Sequence, residues 1–274
     1  MATTVRRRGA HGRRPAGQKQ RIGSGDWEKS TNRQQRKIVR TYDEWVAALK
    51  RELNRLAKRG ASLPELHAHI DSQIPVLEEC LVEVMTKGVE SAVKQTAGQR
   101  AELPQIRAKA QRMIEENVTL VRRNLIPHIH EKISLTLAAA VPGLILGGLA
   151  LEQQKAVAMA IRNASAATRS APAQFAGGYW VAIFETQKSL GEVREDERAS
   201  QGLEPEPVRW NLDPRAEHCK PSPGFFGCPQ MAKDYKSWRD LPTVPGGQVT
   251  CRGNCRCYLT VFRDGQWQRG VYDD

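Results

Sequence analysis

A chain of 274 residues has room for one large or two ordinary domains and can bury a core without covalent staples, so bulk stability does not require its cysteines. Hydrophobic content of 40% with 26% charged residues describes a soluble protein, and an aromatic share of 6% argues against a large aromatic-rich β core. The net charge of +12 is uneven: residues 1–40 hold twelve Lys and Arg against Asp26 and Glu28, which leaves only +2 for the remaining chain.

That N-terminal stretch carries Arg6, Arg7, Arg8, Arg13, Arg14, Lys19, Arg21, Arg33, Arg36, Lys37 and Arg40 among Gly, Ser, Gln and Pro, with little apolar to bury. Such composition predicts a disordered arm, and clustered arginines suit a polyanion because they pair with phosphates and release counterions. The same stretch lacks the apolar centre of a secretory signal, which favours a reducing compartment.

Thr41-Tyr42-Asp43-Glu44 reads as a capping box, followed by the stripe Val46, Leu49, Leu53 and Leu56 up to Gly60. Ser62-Leu63-Pro64-Glu65 repeats the start signal, and Leu66, Ile70, Ile74, Leu77, Leu81, Val84, Val89 and Val93 continue at helical spacing past Pro75, the expected site of a kink. A third helix is predicted from Pro104 to about Ala140, bent at Pro127. The uncharged run Ile133 to Leu151 has the length of a membrane span, but Pro142-Gly143 and Gly147-Gly148 interrupt it. A buried helix end, a turn at Pro142-Gly143 and a new helix near Leu149 account for it better. An Ala-rich helical stretch then runs to Leu190, and the charged, Pro-bearing segment from Gly191 to Pro207 reads as a boundary.

The helical body offers little chemistry. His67 with His69, and His128 with His130, are two apart and point to different sides of a helix. Cys80 lies in the stripe of Leu77 and Leu81, where a buried thiol is ordinary. No phosphate-binding loop, serine-nucleophile elbow or His-Glu-x-x-His motif occurs in the chain.

The remaining five cysteines fall between positions 219 and 257: Cys219, Cys228, Cys251, Cys255 and Cys257. Two ligand groups separated by a loop suit a tetrahedral zinc site, with His218 in reserve, and a disulfide framework is the alternative. Cys255 and Cys257 are close enough to call for a tight turn at Gly253-Asn254 if both are ligands. Tyr258 to Phe262 alternates as a strand, Asp264-Gly265 is a hairpin turn, and Gln266 to Val271 returns. Trp210, Phe225, Phe226, Trp238 and Trp267 are available as apolar cover. The sequence thus predicts a mainly α protein with a small α+β C-terminal module. Its parts are a disordered basic arm over 1–40, an elongated helical body over 41–190, a linker over 191–207, and a zinc-pinned β-hairpin knob over 208–274.

Trp210, Glu217-His218-Cys219, Trp238-Arg239-Asp240-Leu241-Pro242, Pro245-Gly246-Gly247, Thr250-Cys251 and Asn254-Cys255-Arg256-Cys257-Tyr258-Leu259 together resemble the C-terminal signature of the Mu F-like head-morphogenesis family, the minor head proteins of tailed bacteriophages. The resemblance covers residues 210–259 and extends more weakly to Gly147-Gly148-Leu149 with Glu152-Gln153-Gln154. The family spaces its first cysteine pair more tightly than Cys219 and Cys228, which Pro221 to Gly227 hold apart, so the fourth ligand stays open. The resemblance implies a non-enzymatic part in head assembly and genome packaging or delivery. It places the protein in the virion near the portal, after assembly in the host cytoplasm. Its partners would be the portal protein, other head proteins and double-stranded DNA, its cofactor structural zinc, and it would take no small-molecule substrate. Two other readings remain. A zinc-containing nucleic-acid-processing enzyme would need an open metal position and a base, for which Glu217 and His218 are the adjacent groups. A sequence-specific DNA-binding zinc protein would need a recognition helix beside the cysteines.

Overall fold

In the computed structural model the described residues are 24–140, 150–175, 177–214, 217–250 and 255–269. The chain is mainly helical and ends in a small antiparallel sheet. Helix α1 spans Ser24–Lys58, α2 Leu63–Ala97, α3 Pro104–Leu120, α4 Ile126–Ala140, α5 Ala150–Thr168, α6 Ser170–Gln174 and α7 Gly177–Ser200.

The first helix begins seventeen residues before the expected start, at Ser24 rather than Thr41. Thr41 is an interior position, and its apparent capping box is a pair of helix-surface residues; Glu44 instead accepts a hydrogen bond from the Arg40 guanidinium at 2.7 Å. The reason is tertiary. Gln34, Ile38, Tyr42, Trp45, Leu49 and Leu53 recur at three- and four-residue intervals and are all buried, so the core-facing stripe begins within the basic segment. Gln34 donates from Nε2 to the Val84 carbonyl of α2 at 3.1 Å. Gly88 makes this approach possible, since a Cβ there would meet that same amide nitrogen at 2.3 Å.

The second start signal behaves as read. Glu65 accepts from the Ser62 backbone N–H at 2.6 Å and from its hydroxyl at 2.7 Å, closing the N-terminus of α2. Pro75 lies on the exposed side of α2 and the helix continues through it. The expected bend at Pro127 takes a defined form, a π-helical turn over Val121–Leu125 that joins α3 to α4. The Ile126 N–H bonds to the Val121 carbonyl five residues back, which opens the ladder where the ring of Pro127 cannot donate. Pro142-Gly143 lies outside the described residues, and the next helix starts at Ala150, beside the predicted Leu149. No helix among the described residues is long and apolar enough to cross a membrane.

Two apolar clusters organise these elements, and α2 passes through both. The first half of α2 packs with α1, α4 and α5 around Tyr42, Leu49, Leu81, Ile129 and Ile161. Its last turns, from Val89 to Ala97, belong to one apolar cluster with α3, α7 and the buried residues of the C-terminal module. The segment read as a linker is therefore helical as far as Ser200, and Leu190 of that helix shares a core with Trp210 and Trp238.

The sheet contains β1 (Val208–Asn211), β2 (Asp234–Tyr235), β3 (Tyr258–Arg263) and β4 (Gln266–Gln268), in the order β2-β1-β3-β4 and antiparallel throughout. Asp264 and Gly265 both take positive φ, 50° and 75°, the type I′ geometry expected of that dipeptide. The hairpin is thus extended by two earlier strands, with Trp210 opposite Leu259 and Val208 opposite Val261. All four side chains are buried.

The joint between helices and module has three parts. The Trp238 ring lies so close to Gly191 that a Cβ there would meet three ring atoms at 2.3–2.4 Å. Glu195, one turn on and buried, accepts the Trp238 backbone N–H at 2.5 Å. Buried Glu206 is met by Arg263 at 2.9 Å and by Arg194 and Arg198 of α7 at 3.4 and 3.7 Å. Gly191→Ala is expected to destabilise the protein by about 1–3 kcal/mol through overpacking, despite the ~1 kcal/mol a helix interior gains from that change; urea unfolding measures it.

Burial raises the Glu195 carboxyl above its ordinary value, helped by nearby Glu192 and opposed by the Trp238 N–H and by Arg239. The native state therefore holds this proton more tightly than the unfolded chain. Its contribution to stability is full below the unfolded carboxylate pKa and is lost as pH rises through the raised native value. Glu195→Gln keeps the acceptor for Trp238 but cannot titrate. Subtracting its pH–stability profile from that of the wild type should leave a difference that declines with rising pH across this window.

Candidate metal centre

The local chain geometry brings the cysteines together from three directions. Residues 255–257 contain no turn and alternate buried, exposed, buried as they lead into β3. Extended chain places residues two apart on one side, so Cys255 and Cys257 share the core face of Leu259 and Val261. The tight turn expected at Gly253-Asn254 lies outside the described residues.

Cys228 opens a short helix, α8 (Cys228–Met231). The long gap back to Cys219 is taken up by a reverse turn, Ser222-Pro223-Gly224-Phe225. It is closed by hydrogen bonds from Phe225 N to Ser222 O at 2.9 Å and from Ser222 N to Phe225 O at 3.2 Å, with Gly224 at φ 77°. Gly227 then allows the two limbs to touch, since a Cβ there would lie 2.7 Å from Pro221 and 3.0 Å from the Cys219 carbonyl oxygen. The Cys219 and Cys228 sulfurs stand 3.3 Å apart, and the Cys228 backbone N–H points to the Cys219 sulfur at 3.4 Å.

The Sγ atoms of Cys228, Cys255 and Cys257 all lie within 4.8 Å of one another, and all three residues are buried. Cys228 and Cys255 are 3.7 Å apart. These separations exceed a covalent S–S bond of about 2.05 Å. They are close to the ~3.8 Å edge of a tetrahedron with metal–thiolate bonds of about 2.3 Å. Three buried thiols, with Cys219 beside them, can therefore hold one metal ion.

The thiol of Cys257 is pushed above its ordinary pKa, first by its interaction with Cys228 and then by burial, while Cys255 and the Trp210 indole oppose the rise. A cation would reverse that balance by favouring the thiolates. The indole N–H of Trp210 is buried without a nitrogen or oxygen acceptor, on a ring 1% exposed. Its strand, β1, pairs with β3 directly after Cys257, and an indole N–H beside a ligating sulfur steadies the thiolate.

Of the five cysteines expected at the site, Cys228, Cys255 and Cys257 are brought together, Cys219 touches Cys228 alone among them, and Cys251 lies outside the described residues. Its neighbour Thr250 is held to Phe226, two residues before Cys228, by a backbone hydrogen bond of 3.0 Å. His218 is half-buried and Glu217 exposed, and neither belongs to the thiol cluster. Cys80 is half-buried on α2 and also separate from it. The histidine pairs do not converge: His130 bonds Asp71 at 2.7 Å across the α2–α4 contact. Of the expected apolar cover, Trp210 and Trp238 are buried, Phe225 and Trp267 are half-buried, and Phe226 is exposed. Among the basic residues of the N-terminal segment, Arg33, Arg36 and Lys37 are exposed on α1. Arg6, Arg7, Arg8, Arg13, Arg14, Lys19 and Arg21 lie outside the described residues.

Comparison of the chain with protein-family models, curated proteins and solved structures found no match in any of the three.

Elemental analysis of protein purified under reducing conditions should find about one metal ion per chain. Cys228→Ser or Cys257→Ser should abolish it and loosen the module, whereas Cys80→Ser should leave the metal content unchanged. Full metal retention in Cys257→Ser would show that the three buried thiols are not the ligands.

Proposed function

We propose that this chain is a structural minor head protein of a tailed bacteriophage, acting near the portal in head assembly and in packaging or delivering the genome. The supporting observation is that the signature cysteines Cys255 and Cys257 meet Cys228 in one cluster, with Cys219 against Cys228, and that other residues of the same signature surround it. Trp210 flanks Cys257, Trp238 seats the module on α7, and Gly246 turns the chain at φ 84°. The residues that carry the resemblance are thus those on which the packing of the module depends.

Zinc is the metal we assign to the cluster, because a set of thiolates at tetrahedral spacing is the ligand sphere it prefers. We take Cys219, which touches Cys228, as the fourth sulfur ligand beside the three buried thiols; that set closes the coordination and leaves no position for a reactive water. The metal then acts in folding, where a structural zinc contributes on the order of 10 kcal/mol. This supports a structural role over an enzymatic one.

The N-terminal basic segment is assigned to double-stranded DNA. Twelve Lys and Arg in residues 1–40 allow sequence-independent binding that weakens steeply with salt. If half of them engage, log K should fall against log salt with a slope of about −5. Titrating the full chain with duplexes of unrelated sequence at several salt concentrations tests this. Equal affinities and a steep slope are expected, and absence of binding at low salt would reassign the segment to an acidic protein surface. Portal and large-terminase genes beside the coding sequence would support the head assignment, and their absence would count against it.

A further inference from the structure

We infer that the ordered N-terminal half of α1 is a phosphate-docking ridge, a second DNA contact distinct from the residues that precede the helix. The inference rests on the DNA reading above and specifies where, and in what manner, part of that contact is made. Arg33, Arg36, Lys37 and Arg40 are spaced i, i+3, i+4 and i+7 and are all exposed. They form one stripe along the solvent side of a helix whose opposite side, Gln34, Ile38 and Tyr42, is buried. No acidic residue occurs between Glu28 and Asp43, so the stripe from Arg33 to Lys37 has no acidic neighbour in sequence. At its C-terminal end Glu44 pairs with Arg40 at 2.7 Å in an exposed contact that a phosphate can displace. The other neighbouring acid, Asp43, is already held by Arg169 at 2.8 Å.

The ridge is held in a fixed orientation. The Gln34 bond to the Val84 carbonyl and its seat on Gly88 set the rotation of α1 at this height. Tyr42 bonds the Thr168 hydroxyl about two turns further on. A shallow groove of about 680 Å³ borders the C-terminal part of the ridge, where Asn32, Gln35, Arg36, Arg40 and Arg169 line it together with the paired acids Asp43 and Glu44, and a second of about 410 Å³ is lined by Asn32 and all four cations. Asn32 and Gln35 add uncharged donors beside the charges. Four cations over seven residues span about 10.5 Å at 1.5 Å per residue, enough to meet successive phosphates of one strand.

Four long cations in one stripe suit the phosphate backbone, and phosphate contacts position a duplex without reading its sequence. An ordered ridge also loses less conformational entropy on binding than a flexible segment does, so these four charges hold DNA at a set distance from the helical body.

The test uses three full-length proteins: wild type, a ridge variant (Arg33→Gln, Arg36→Gln, Lys37→Gln, Arg40→Gln), and a variant with Arg6, Arg7, Arg8, Arg13 and Arg14 changed to Gln. Each is titrated with two duplexes of equal length and unrelated sequence across a salt series. The ridge variant should reduce the steepness of the log K against log salt plot by about 3.6, four contacts at 0.9 each, equally for both duplexes. Its helicity and unfolding midpoint should match the wild type, because the four side chains are exposed and Gln is a good helix former. A charge-preserving variant, with Arg33, Arg36 and Arg40 changed to Lys, should restore the slope. An unchanged slope in the ridge variant, with a reduced slope in the other, would overturn the ridge and leave the DNA reading standing. Wild type that binds neither duplex at low salt would overturn both.

Discussion

The contact on which the C-terminal module depends is that of Trp238 with α7. Gly191 leaves a space that the indole fills, Glu195 fixes the backbone at the same residue, and the ring is 3% exposed. A module of some sixty residues with four short strands has too little interior to be secure alone. By seating Trp238 on the helix it joins an apolar cluster that includes the last turns of α2, most of α7 and the buried cysteines. The cysteine cluster is therefore part of a core shared with the helical body, and displacement of that ring would expose the surroundings of the thiols.

The thiol cluster shows how backbone detail decides ligand geometry. Cys255 and Cys257 share a face because the chain there is extended, and Cys219 reaches Cys228 because a Pro-Gly turn folds the intervening residues back. Gly227 removes the one side chain that would keep the two limbs apart. Each device is local, and none is sufficient alone. The cluster forms only because β3 pairs with β1, which places Leu259 opposite Trp210 and the Trp210 indole beside Cys257.

At the other end of the molecule, α1 combines two roles on one helix. Its buried stripe is continuous from Gln34 to Leu53, while the charged residues from Arg33 to Arg40 are all basic and those from Asp43 onward are of both signs. Packing holds the basic stripe in place without consuming it, because the groups that fix the helix and those that carry charge lie on opposite sides.

Much of the architecture was legible in the sequence. The Ser62–Glu65 start of α2, the helical periods of α2 and α3, the departure from α-helix near Pro127, the helix expected from about Leu149 and the Asp264-Gly265 hairpin follow from capping, periodicity and turn chemistry that act within a few residues. The cysteines announced a metal site by their density. What the sequence did not disclose were relations between distant segments. Thr41 carried a valid start signal, yet α1 begins at Ser24, because the burial of Gln34 and Ile38 against α2 outweighs the polarity of their neighbours. Gly191 looked like the start of a linker, yet it is a seat for a tryptophan 47 residues away. The gap between Cys219 and Cys228 looked too long for a ligand pair until the turn between them was seen. Local signals are set by a residue and its immediate neighbours, so a sequence displays them. The helix start, the shared core and the meeting of the thiols depend on which surfaces are buried together, and only the tertiary structure decides that.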